Sequence, residues 1–301
     1  MNEFNIKSKT CGKCRVYPDN PQGLAPSVTS ICGALMKYGL IDWAANCAVD
    51  YIINANFTME QAEEVFEQAR YAHEQIRDDA ADFGTLAHLL CQLWLENKDR
   101  ELDDEFEKSP QPAKELFLSF QGWCNKNKIE PVHTEIKLHG DGYSGRCDLI
   151  AYRTCPKTGE RRLGLYDIKT GKGSYYPEWG LQLAAYAEAH KQSVCRDVEK
   201  KYYELCDKFP EKYDISKGKI TLLDYWQEEE HRLVQEIGII KLNKDTLKCN
   251  FSEQSKPKFT ADRDRLTKAW VHLVKFYWEY NDLAKQFEEI QNISLDNDEQ
   301  L

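Results

Sequence analysis

The chain has 301 residues, 42% hydrophobic and 30% charged, and its 40 basic and 50 acidic side chains leave a formal charge of −10. That balance suits a folded chain of one large domain or two small ones and excludes a low-complexity or collagen-like protein. It also excludes a uniformly basic nucleic-acid binder, so any phosphate-binding surface must be local or supplied by a bound cation.

No run approaches the roughly 18 apolar residues of a membrane span, so no membrane association is expected. The first twenty residues are polar and lack the apolar stretch of a secretory signal. The 11 cysteines follow no disulfide framework, and Cys91, Cys124 and Cys147 sit in apolar settings. Reduced thiols in a cytoplasmic, reducing compartment are the expectation.

Residues 1–25, with Cys11, Cys14 and several prolines and glycines, read as an irregular entry segment. Pro26-Ser-Val-Thr opens a helix with Ser27 or Thr29 as cap, followed by helical spacing to about Ile53. Thr58-Met-Glu-Gln61 is a capping box that opens a helix to about Ile76. A third helix is predicted over Asp79–Asn97 and a fourth from about Ser109 to Asn127, so the first 127 residues read as all-helical. From Pro131 the period changes to two. Strands are predicted over Val132–His139, Gly145–Arg153 and Arg162–Thr170, the last two joined by a turn at Pro156–Gly159. Pro177–His190 is a helix, and 198–236 holds helical pieces broken at Pro210 and Gly218. Ile237–Leu242 is a strand, Thr246–Phe251 a short one, and Ala261–Ile290 a long helix before an acidic tail. The expected class is α/β, a small mixed sheet flanked by helices. Its parts are an N-terminal helical layer (1–130), a core (131–255, with the insertion 198–236) and a C-terminal helix and tail (256–301), in one compact unit.

The second and third strands carry charge where a core strand would not. Ser144, Arg146, Asp148 and Ile150 share one face by alternation, and so do Leu165, Asp167 and Lys169. Burying unpaired charge is costly. Two carboxylates from neighbouring strands with a lysine one pleat away suit a hard divalent cation and an activated water. A surface salt bridge is the plainer alternative and would contribute little. His88 lies beside the apolar stripe Phe83, Leu86, Leu90 and Leu93, with Gly84 and Thr85 a turn before it and Gln92 a turn after. That small polar strip would let another element approach closely and leave the imidazole facing a site. Gln182 and Tyr186 stand one helical turn apart, and Lys172, Tyr175, Tyr176 and Trp179 follow the third strand directly.

Asp148, then Asp167-Ile168-Lys169, then Gln182-Leu-Ala-Ala-Tyr186 resembles the ordered D…(D/E)-x-K…Q-x-x-x-Y pattern of the RecB-type nucleases in the PD-(D/E)XK superfamily. Gly84-Thr-Leu-Ala-His88 adds the upstream histidine motif. The motifs cover roughly residues 80–192. Pro26–Thr29 and Gly84-Thr85 are similar to those of phage-type and mitochondrial genome-maintenance-like exonucleases. The resemblance implies a PD-(D/E)XK core that binds one or two Mg²⁺ or Mn²⁺ ions through His88, Asp148, Asp167 and the Ile168 carbonyl. It implies that Lys169 orients or acidifies the attacking water and that Gln182 and Tyr186 border the site. Glu135 would stand behind the ligands, while Arg146, Lys172, Tyr175 and Tyr176 would contact DNA, as a single strand or a duplex end. The implied activity is a metal-dependent DNA exonuclease of recombination, repair or replication, with a recombination or single-strand-binding protein as candidate partner. A structure-specific endonuclease and a non-cleaving DNA-binding or anti-defence protein are the alternatives. Some relatives hold an iron–sulphur cluster with one early cysteine and a tight later trio. Cys155, Cys195, Cys206 and Cys249 are too scattered to match it, so no cluster is expected.

Overall fold

The computed structural model describes residues 4–8, 12–35, 38–171, 176–210, 212–213, 220–251 and 263–282. The entry segment is a sheet rather than an irregular stretch, which corrects the all-helical reading of the first 127 residues. Strands β1 (Phe4–Ser8), β2 (Gly12–Asn20) and β3 (Gly23–Pro26) pair antiparallel in sequence order. Buried Cys14 and Val16 flank exposed Arg15, a period-two pattern too short to stand out among the glycines and prolines. The Asn20 amide donates to the Gly140 and Tyr143 carbonyls and to Ser144 Oγ, which anchors this sheet on the main one.

Helix α1 (Val28–Cys32) is capped by Ser27, whose side chain accepts the Ser30 N–H at 3.0 Å. The expected helix to Ile53 is in fact two, α1 and α2 (Tyr38–Asn54). At the capping box the Gln61 side chain accepts the Thr58 N–H at 3.0 Å. A short turn then leads into α3 (Ala62–Leu95). No glycine or proline interrupts residues 76–79, so one 34-residue helix replaces the two expected ones. Helix α4 (Asp99–Lys108) was not foreseen, because it is strongly acidic and buries only Leu102. Helix α5 (Gln111–Lys126) starts and stops within two residues of expectation.

The main sheet contains β4 (Glu130–Gly140), β5 (Tyr143–Thr154), β6 (Arg161–Gly171), β7 (Glu236–Asn243) and β8 (Lys248–Phe251), in that order. Neighbours are antiparallel except β6 and β7, which are parallel. A parallel pair needs a crossover, and α6 (Pro177–Lys208) lies within it, followed by α7 (Leu222–Glu229). Helix α6 runs well past His190 because Val194, Val198 and Tyr202 continue its buried face. The inserted segment 198–236 is therefore in part the second half of α6. A last helix, α8, spans 263–282. The protein is thus mixed α/β, a five-stranded mixed sheet flanked by helices. Among the described residues no helix is long and apolar enough to cross a membrane.

Both faces of the sheet are covered, which explains the near-continuous apolar runs of β6 and β7. On one face Leu165, Ile237 and Ile239 pack with Leu183 of α6, Trp270 of α8 and Ile31 of α1. On the other Leu149, Tyr166, Ile168, Ile240 and Leu242 pack with Leu90 of α3 and Phe120 of α5. At one end of the sheet Arg153 forms a bidentate pair with Glu236 at 2.6 and 2.7 Å. Tyr166 also donates to Glu236, at 2.8 Å.

Candidate active site

The site begins where two strands part. Strands β5 and β6 pair from Thr154/Arg161 to Leu149/Tyr166. Beyond that point the register of β5 continues with β4 and that of β6 with β7. Asp148 and Asp167 are the first residues past the last pair. The fork they flank is open to both faces of the sheet, so α3 on one face and α6 on the other can serve the same place. The Ile168 N–H donates to Asp148 Oδ2 at 2.6 Å and holds that carboxylate across the fork.

Helix α3 delivers His88, whose Nδ1 lies 3.8 Å from Asp148 Oδ2. Gly84 permits the approach: a Cβ there would stand 2.7 Å from Thr170 Oγ1 of β6. The small strip before His88 thus does what its composition suggested. One turn after His88, Gln92 donates to Glu96, and Glu96 accepts the Thr134 hydroxyl of β4 at 2.9 Å. This ties α3 to β4 beside Glu135.

Glu135 is closer to the centre than the sequence implied. His88, Glu135 and Asp148 each offer a ligand atom within 4.8 Å of the others. An ion with ligand bonds near 2.1 Å spans about 4.2 Å between opposite ligands, so the three could close on one cation with shifts of a few tenths of an ångström. The backbone explains how Glu135 gets there. Its φ is +47° inside a strand, whereas the other non-glycine residues with positive φ among the described residues, Asn97, Lys128 and Leu247, sit at element ends. Such a conformation costs about 1–3 kcal/mol and turns the side chain out of the regular pleat. No sequence signal marked it.

Asp167 faces the other way. Its buried Oδ2 is 2.8 Å from the Lys169 ammonium, with which it pairs. Lys169 also donates to Gln182 Oε1 at 2.9 Å, and Gln182 donates to the Tyr186 hydroxyl at 3.0 Å. The Gln182/Tyr186 pair read from helical spacing therefore lines up as a relay onto the lysine. Gly145 makes room for it: a Cβ there would meet Tyr186 at 2.5 Å.

The charges explain the local acidity. Burial opposes the Lys169 charge, but Asp167 and Asp148 outweigh it and raise its pKa, so it stays cationic. Burial, then the Asp167 charge, holds the Asp148 carboxyl up to about 6. Burial, then Asp148, holds Glu135 at about 7. Carboxylates crowded this way gain from a cation, and one histidine with two carboxylates suits a divalent metal ion. The donor set and the close trio fit a hard divalent ion.

Arg146 is partly exposed, 3.9 Å from Glu135 Oε2. Tyr176 is half-exposed and meets Trp179 edge to face. Lys172 and Tyr175 lie outside the described residues, as does Cys11. Cys14 is buried, with its sulphur 3.1 Å from the Tyr277 hydroxyl. Sequence reasoning passed over Lys241, in register with Lys169 on the next strand and 3% exposed. Its signal was a lone cation in the apolar run Ile237–Leu242. Neither a protein-family model nor a curated protein matches the chain.

Proposed function

We propose that this chain is a metal-dependent deoxyribonuclease of the RecB type within the PD-(D/E)XK superfamily, acting as an exonuclease on a free DNA end. The observation that carries the reading is the placement of one cationic lysine, held by Gln182 and Asp167, at a strand fork shared with His88, Glu135 and Asp148. The strand order, with a helical crossover between β6 and β7, supports the same reading.

His88, Glu135 and Asp148 would hold Mg²⁺ or Mn²⁺, and Asp167, which faces Lys169, would join them with the Ile168 carbonyl only by turning its carboxylate from the lysine. When bound, the metal supplies Lewis acidity at a phosphoryl oxygen and lowers the pKa of a coordinated water. Lys169 is protonated and so does not act as a base. It fixes the attacking oxygen and offsets the negative charge that builds on phosphorus. Gln182 holds the ammonium through its carbonyl oxygen, and Tyr186 accepts from the Gln182 amide and fixes its orientation. Arg146 stands at the open side, where a strand would pass. With α3 on one face of the fork and α6 on the other, the site would be reached more readily by a threaded strand end than by an uninterrupted duplex.

The metal assignment is tested by melting curves. Mn²⁺ is expected to raise the melting temperature of the wild type and to leave Asp148→Asn unmoved. Without metal the order reverses at pH 7.5. A carboxyl whose folded pKa is raised loses stability as pH climbs from its unfolded value of about 4 towards 6, so removing it stabilises the metal-free fold by about 1–3 kcal/mol. Chelation abolishes cleavage, and Mg²⁺ or Mn²⁺ restores it while Ca²⁺ does not. An equal Mn²⁺ shift in both proteins, or full cleavage in chelator, sinks the metal site.

A further inference from the structure

The trio of His88, Glu135 and Asp148 draws on two layers, and one side chain bridges them. His88 comes from α3 and Glu135 from β4, and neither element fixes the distance between them by itself. His88, Gln92 and Glu96 recur every four residues along one face of α3. Glu96 closes the C-terminal end of that helix. Its Oε1 accepts the Gln92 amide at 2.8 Å and the Thr134 hydroxyl at 2.9 Å. Its Oε2 pairs with Lys98 at 2.5 Å. Thr134 is the residue before Glu135. The strand pairs on either side are Thr134 with Leu149 and Ile136 with Cys147, so Glu135 stands opposite Asp148. A continuous path therefore runs from His88 through Gln92, Glu96 and Thr134 to Glu135.

Two features make the spacing at its ends sensitive. The ligand atoms of the trio lie within 4.8 Å of one another, at the limit of what one ion bridges, about 4.2 Å. A drift of about half an ångström would leave an ion one ligand short. Glu135 also holds its φ of +47° inside β4, a strained conformation that persists only where the surroundings impose it. Arg146 is 3.9 Å from Glu135 Oε2 and partly exposed, an ion pair that contributes little. The Thr134 hydroxyl bond fixes the chain one residue earlier, and a carboxylate acceptor makes that bond shorter and stronger than a neutral one would.

We infer that Glu96 is a positioning residue of the metal site, setting through Thr134 the distance between Glu135 and His88 that one divalent ion bridges. The inference rests on the metal-binding reading above and adds to it the element that tunes affinity. Neither Glu96 nor Thr134 belongs to the trio. They act on how tightly an ion is held rather than on the reaction at a filled site.

The test follows Mn²⁺ binding by the full chain directly, through loss of the free ion's EPR signal, beside melting curves in chelator. Thr134→Val keeps the side-chain shape and removes the hydroxyl. It is expected to raise the Kd for Mn²⁺ about tenfold, and Thr134→Ser, which keeps the hydroxyl, to stay within about threefold of wild type. Glu96→Leu should match Thr134→Val. The double variant should bind no more weakly than either single one, because both remove the same bond. At saturating Mn²⁺ the cleavage rate of Thr134→Val should remain within about threefold of wild type. Equal Kd for wild type and Thr134→Val overturns the inference. So does a lower melting temperature in chelator with an unchanged Kd, which marks an anchor of the fold alone, and so do effects that multiply in the double variant. A wild type that leaves the Mn²⁺ signal unchanged overturns the metal site itself, a result distinct from equal binding by wild type and variants.

Discussion

Lys169→Met is expected to lower DNA cleavage by a factor of about a hundred to a thousand while DNA binding in Ca²⁺ stays within about threefold of wild type. The lysine lies 2.8 Å from Asp167 and 2.9 Å from Gln182, so its charge is aimed at the fork rather than outward along a groove. On the proposed mechanism, removing it takes away the group that offsets charge in the transition state and leaves the ground-state contacts to the strand. Methionine keeps the volume and adds no new charge. Gln182→Leu, which frees the ammonium without deleting it, should cost only about tenfold in rate. Single-turnover rates with binding measured alongside separate the two effects. Unchanged turnover in Lys169→Met would show that the lysine only pairs with Asp167 in the fold.

The largest effect on stability is expected at the opposite end of the sheet. Glu236→Ala should destabilise the protein by about 3–5 kcal/mol, because it strands a buried guanidinium. The side chains of Arg153 and Glu236 are 6% and 0% exposed. The pair also carries the Tyr166 hydroxyl, the Asn127 side chain and the Phe251 ring face. It therefore joins β5, β6, β7, β8 and the turn after α5. At about 2–4 °C per kcal/mol the melting temperature should fall by about 6–20 °C. Replacing both partners with Met should recover part of the loss, since an apolar pair leaves no stranded charge. Equal melting temperatures for wild type and Glu236→Ala would show that water reaches the guanidinium and that the pair holds nothing together.

The middle of the chain was legible from its amino acids because several signals agree there. Alternation defined β4, β5 and β6 to within a few residues, and charge in otherwise apolar strands marked Asp148, Asp167 and Lys169. Helical spacing put Gln182 and Tyr186 on one face, and the small residues before His88 foretold the close approach of α3 to β6. The misses have physical reasons. Strands β1–β3 are short and punctuated by glycine and proline, and they gain their stability by docking on Ser144 and its neighbours, a long-range effect. Helix α4 presents too little apolar surface to register. Glu135 was expected behind the ligands and stands among the trio instead, because its position depends on a left-handed backbone inside β4. Lys241 needed the parallel register of β6 and β7 to become its neighbour's partner.

The central claim is a metal-dependent nuclease that needs a free end, and one digestion tests it. An end-labelled linear single strand and a covalently closed circle of the same sequence are incubated with the enzyme and Mn²⁺, with a chelated sample in parallel. The account predicts progressive shortening of the linear strand, an intact circle, and no product under chelation. Cleavage of the circle at the rate of the linear strand would contradict the threaded cleft, and an untouched linear strand in Mn²⁺ would contradict the nuclease.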